Sequence, residues 1–119
     1  MRRAFAGLAA ALLLLLIVVA QFVFATTGAF RASSYRLHHA MGYVIFFVPL
    51  VMAIVAAAGH LPARLIWLCV LVVALDSLQV VIAEVGGLWT ALHALNGIAI
   101  LGTAALIVRR SAVDIGRPA

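Results

Sequence analysis

This 119-residue chain has one cysteine, no lysine, three acidic residues and three prolines. Each shortage excludes something. The lone Cys69 cannot close an intrachain disulfide, and without a second cysteine there is no C-x-x-C-H run to attach a haem covalently. Charged residues make up 9% of the chain against 68% hydrophobic ones, with a mean hydropathy of +1.31, a balance foreign to soluble domains. No Gly-rich phosphate loop and no nucleophile–base set is present, so neither a nucleotide site nor a hydrolase is indicated.

What the chain has is long apolar runs. A spanning helix needs about 20 mostly apolar residues, and helices are predicted over about 4–26, 37–58, 65–85 and 90–108. The connections "TTGAFRASSYR", "GHLPAR" and "EVGGLW" are short, which makes sequential helices antiparallel neighbours. The expectation is a single all-α domain, an integral membrane four-helix up-down-up-down bundle lying in the lipid bilayer. The first run, with Arg2-Arg3 before it and "VFA" at 23–25, also has the outline of a signal peptide, but its apolar stretch exceeds the ~7–15 residues of a signal core.

All eight positive residues are arginine. Arg2, Arg3, Arg64, Arg109, Arg110 and Arg117 fall on one side of the expected bilayer, and Arg31 and Arg36 on the other. The positive-inside rule then puts both termini in the cytoplasm. Topology accounts for the basic excess, and no nucleic-acid partner is needed.

The chain repeats itself. "QFVFATTG" at 21–28 aligns with "QVVIAEVG" at 79–86, and "LHHAMG" at 37–42 with "LHALNG" at 92–97. The Gln match carries weight because Gln21 and Gln79 are the only glutamines. The shared pattern is Gln, Gly seven residues on, a loop, then Leu-His-x-x-x-Gly. Two parallel helical-hairpin repeats, about 1–58 and 62–110, would be related by an axis along the membrane normal. Such an axis brings His38 and His93 to one depth near the outer face.

Polar residues in spanning segments are costly and mark candidate sites. Paired histidines on facing helices suit axial ligation of a haem iron, the metal reading of His38 and His93. Gly42 and Gly97, each four residues after a histidine, share its helix face and leave room for a flat macrocycle or for close helix packing. Gln21, Gln79, Asn96 or backbone carbonyls are candidate acceptors for the second ring N–H, although the glutamines also suit interhelical contacts without a ligand. Arg31 and Arg36 stand where they would meet haem propionates, or act as plain loop charges. His39 has no histidine counterpart, since Ala94 aligns with it, and His60 reads as a solvated loop residue. Asp76, near mid-bilayer, is expected to be protonated or hydrogen-bonded, with Ser77 or Thr103 as candidate partners and a proton or quinone role as the alternative. Pro49 predicts a kink, and Trp67 and Trp89 fall at the two boundaries.

"LHHAMGY" and "LHALNG", each preceded by a helix carrying Gln and then Gly, resemble a bacterial family of small four-helix membrane proteins of uncharacterised function. The likeness runs from about Val18 to Arg110 and rests on His38, Gly42, His93, Asn96 and Gly97. More distantly, the layout is similar to bis-histidine b-type cytochromes and the halves of haem A synthase. That resemblance implies a redox or haem-handling role in a bacterial cytoplasmic membrane. A transmembrane electron wire needs haems at two depths, and this chain lacks an inner pair of helical histidines. The expectation is one non-covalent haem b near the outer face, for electron transfer or haem handling, with no catalytic residues indicated. The alternatives are a cofactor-free accessory subunit of a larger membrane complex, respiratory or other, or a homo-oligomer, or a binder of a quinone or chlorophyll-type pigment.

Overall fold

The computed structural model describes residues 2–31 and 35–115, with side chains from 6–29 and 35–113. These residues form four helices: α1 (Arg2–Arg31), α2 (Arg36–Ala58), α3 (Ala63–Val85) and α4 (Trp89–Ile115). Each contains a stretch long and apolar enough to cross a membrane.

Two helices outrun their expected ends. α1 continues through Thr26 and Thr27, whose hydroxyls donate back to the carbonyls of Phe22 and Val23 at 2.7 and 2.9 Å. Those bonds satisfy the two hydroxyls within the helix, leaving them free of the turn-forming role that threonines often take. α4 runs past Arg109 and Arg110 to Ile115, because charge ends an apolar span without ending a helix. α2 continues as one helix through a buried Pro49.

The connections have specific turn chemistry. After α2, the Leu61 N–H bonds the Ala56 carbonyl and the His60 N–H bonds the Ala57 carbonyl, the paired pattern of a Schellman cap. His60 takes the left-handed position there, at φ 52°, where glycine is usual. Between α3 and α4, Gly86 and Gly87 both have positive φ (67° and 61°), which lets three residues reverse the chain.

The helices form a ring. α1 packs on α2 and α4, α3 packs on α2 and α4, and the diagonal pairs make no close backbone approach. The bundle measures 52 × 22 × 19 Å. Its core is a seam from each helix: Ala11, Leu14 and Val18; Ile45, Pro49 and Ala53; Cys69, Val72 and Asp76; Ile100, Ala104 and Ile107. The α3 positions fall 58 residues after those of α1, and Ile100 and Ala104 fall 55 after Ile45 and Pro49, the same offsets that align the motifs. Large apolar side chains such as Leu16, Val55 and Trp67 point outward, as lipid-facing positions should.

Candidate functional site

The two motifs build the same contact twice. On one side the Gln21 amide nitrogen donates to the His38 carbonyl at 2.8 Å; on the other the Gln79 amide nitrogen donates to the His93 carbonyl, also at 2.8 Å. A helical carbonyl already faces the residue four positions on, so an incoming amide must pass beside that residue. In both halves it is glycine. A Cβ on Gly42 would lie 3.8 Å from the Gln21 nitrogen, and one on Gly97 would lie 3.6 Å from the Gln79 nitrogen. A methyl would just fit there, and a larger side chain would push the amide off. This clamp gives a physical reason for Gln and Leu-His-x-x-x-Gly occurring together: the glycines lie beside glutamine side chains as well as beside the central space.

The clamps tie α1 to α2 and α3 to α4 at the level of the histidines. His38 on α2 and His93 on α4 belong to diagonal helices, yet their ring centroids lie 6.0 Å apart at an interplanar angle of 62°. They therefore meet across the middle of the ring of helices. Both line a cavity of about 610 Å³ that reaches all four helices and also takes in Gln21, Gln79, Gly42 and Gly97. Among the described residues no three His, Cys, Asp or Glu side chains converge as they would around a bare metal ion.

The halves then diverge. In the second, the His93 Nδ1 lies 3.3 Å from the Gln79 backbone carbonyl, the contact that fixes a tautomer and leaves Nε2 as the free acceptor. In the first, the His38 Nδ1 is buried with no partner. Asn96 does not serve a histidine ring: its amide nitrogen donates to the Leu75 carbonyl at 2.8 Å and to the Gln79 Oε1 at 2.6 Å. Gln79 is thereby satisfied at both ends. The position equivalent to Asn96 in the first half is Met41, which offers no donor, and the Gln21 Oε1 is buried without a partner. The glutamine side chains thus serve the histidine backbones; the one ring contact within reach comes from a main-chain carbonyl.

Tyr35, which the motif reading passed over, caps the first half. A Cβ on Gly28 would meet its ring at 2.8 Å, so the ring lies directly on the helix backbone of α1. From there its edge faces His38, with centroids 6.2 Å apart. His39 lies 6.1 Å from His38 and lines the same cavity. Gly86, the sequence counterpart of Gly28, has nothing near it and supplies a turn instead.

Other expected site residues fall elsewhere. Asp76 is buried in the α3 seam and lines the cavity, but Ser77 donates to Val73 and Thr103 to Ala99, so neither holds the carboxyl. Arg36 opens α2 and is exposed, while the side chains of Arg2, Arg3 and Arg31, together with Arg117, lie outside the described residues.

A family described as a family of unknown function, DUF6220, matches residues 21–91. The matched stretch opens on Gln21, includes His38, Gly42 and Gln79, and ends two residues before His93. No curated protein and no solved structure matches the chain, so the likeness to b-type cytochromes and haem A synthase finds no support there.

Proposed function

The chain belongs to the DUF6220 family, whose function is unknown, and from the geometry of its central cavity we propose that it binds one haem b, with His38 and His93 as axial ligands, for electron transfer or haem handling. The observation that carries this reading is the meeting of two imidazoles from diagonal helices, centroids 6.0 Å apart, inside a cavity of about 610 Å³. A haem needs only two protein ligands because the macrocycle supplies the rest, which suits a site where no third ligand converges among the described residues. The partnerless His38 Nδ1 and the Gln79 carbonyl behind His93 give the pair one unsatisfied ring and one oriented ring. Bound haem would supply one-electron chemistry. The protein's own part is to hold the two rings at one depth, which the Gln21 and Gln79 clamps do by fixing each histidine's backbone.

In this reading the protein is a multi-pass component of a bacterial cytoplasmic membrane, with both termini inside and the haem near the outer face. The arginine asymmetry supports that orientation. Arg31 and Arg36 would face the propionates.

The test is the visible spectrum of protein purified from haem-supplied cells. The expected result is a Soret band with reduced b-type bands, lost in His38→Ala and in His93→Ala and kept in His39→Ala. Colourless wild-type protein would reject the proposal.

A second reading has its own support, because the Gln79–Asn96–Leu75 network closes without any ligand. It makes the chain a cofactor-free subunit whose polar residues lock the bundle. Colourless protein that elutes with a defined larger complex would favour it, and an extractable quinone or pigment would point to the remaining alternative.

A further inference from the structure

The two hairpins differ around the cavity, and the differences gather on one side. Between α1 and α4 the groove is filled by Phe22, whose Cζ would lie 3.5 Å from a Cβ on Gly97. The position equivalent to Phe22, 58 residues on, is Val80, and a Cβ on Gly42 would meet only the Gln21 amide within 4 Å. The α2–α3 side is left open. Cavity-lining residues there, Tyr43, Phe47 and Val80, are 69%, 57% and 53% exposed. Because α2 and α3 are membrane spans, this mouth opens to hydrocarbon, and an occupant reaches it from the bilayer.

Asp76 lines the same cavity. It occupies the seam position that Val18 holds in α1, is 4% exposed, and has no hydrogen-bond partner among the described residues. No arginine lines the cavity, and the other acid in its lining, Glu84, is exposed about two turns further along α3. A carboxyl group within a spanning segment takes a proton or a counter-charge, and such residues act as counter-ions to bound ligands. Tyr43, Phe46 and Phe47 line the cavity from α2, with Phe46 and Phe47 edge to face at 5.4 Å. Aromatic faces attract cations, and cages of such rings recognise quaternary ones.

We infer that the α2–α3 mouth leads to a binding site for a lipid-soluble organic cation, with Asp76 as its counter-charge and Tyr43, Phe46 and Phe47 as its aromatic wall. The cavity volume is in the range that encloses a drug-sized molecule. The inference uses no histidine nitrogen and does not rest on the haem reading, but His38 and His93 line the same cavity, so haem and cation would exclude one another and the test is made on haem-free chain.

The test compares methyltriphenylphosphonium with triphenylphosphine oxide, a neutral molecule of nearly the same shape, by equilibrium dialysis against the full chain in lipid nanodiscs. The cation should bind saturably and the neutral molecule should not. Asp76→Asn should weaken cation binding by roughly tenfold or more. Val80→Phe, which places on α3 the ring that Phe22 supplies on α1, should block it to a similar extent. Leu13→Ala, on the outward side of α1 and outside the cavity lining, should bind the cation as wild type does. Equal affinity for the neutral molecule, wild-type binding by Asp76→Asn or Val80→Phe, loss of binding in Leu13→Ala, or no saturable binding by wild type would each overturn the inference. The two-ligand comparison is made on the wild-type chain, so it decides the matter even where a variant fails to fold.

Discussion

Met41 stands where Asn96 stands in the other half, and that single difference leaves the Gln21 Oε1 buried without a partner while the Gln79 Oε1 accepts from Asn96. Polar atoms buried in a membrane bundle are costly when unmatched, so Met41→Asn is expected to stabilise the fold by about 0.5–1 kcal/mol. Thermal unfolding in detergent, followed by far-UV circular dichroism, reads this directly, and a lower melting temperature would show that the asparagine does not reach. The same inventory ranks the glutamines. Gln79→Leu removes the His93 clamp and strands Asn96, at about 1–2 kcal/mol, whereas Gln21→Leu removes one bond together with an atom that was unmatched, at about 0.5 kcal/mol. Equal losses would mean the Asn96 bond contributes nothing. The pairing of Gln with His and Gly was legible in the sequence because glutamine is rare here. The atoms that meet were not, since spacing alone does not tell a glutamine that serves a ring nitrogen from one that serves a backbone carbonyl.

Among the elements, the junction of α1 and α2 holds the side chain that comes closest to a glycine backbone among the described glycines. The Tyr35 ring lies on the backbone at Gly28, at a distance that leaves no space for a Cβ. Gly28→Ala therefore displaces the ring, with an overpacking cost of about 1–3 kcal/mol. In a Tyr35→Ala background the same substitution should be nearly neutral, or slightly stabilising because alanine favours the helix. A double-mutant cycle on melting temperatures measures this, and an undiminished cost in the second background would remove Tyr35 as the cause. The α2–α3 turn provides a second case. His60 holds a left-handed conformation that glycine adopts without strain, so His60→Gly is expected to be neutral or stabilising by up to about 1 kcal/mol, read as a shift in melting temperature. Existence and order of the four helices were readable because each is a long apolar run. The ends of α1 and α4 were not. Thr26 and Thr27 satisfy their hydroxyls inside the helix, and Arg109 and Arg110 sit on a helix that leaves the apolar zone without stopping.

For the whole molecule, the ring of helices places both long turns on fixed sides: Gly59–Pro62 lies at the end shared with the termini, and Gly86–Leu88 at the end that holds the histidines. Loop length anticipates this arrangement, and the repeat anticipates that His38 and His93 lie close together. Neither gives any sign that the two flanks of the cavity differ, because that depends on which of two equivalent positions holds Phe22 and which holds Val80. Orientation in the bilayer follows from charge instead. Arg64 at the start of α3 and Arg109 and Arg110 late in α4 share one end, joined in sequence by Arg2, Arg3 and Arg117, against Arg31 and Arg36 at the other. A bias of six to two over short connections is the kind that sets topology. Single cysteines introduced at Gly59 and at Gly87, in a Cys69→Ala background, would report it through a membrane-impermeant maleimide applied to intact cells. Gly87→Cys should label and Gly59→Cys should label only after lysis. The Gly87 position has φ 61°, so Leu88→Cys, 89% exposed in the native chain, serves as the unstrained equivalent. Labelling of Gly59→Cys in intact cells would invert the molecule and put the histidine pair on the cytoplasmic side, where a haem would exchange electrons with cytoplasmic partners instead of outer ones.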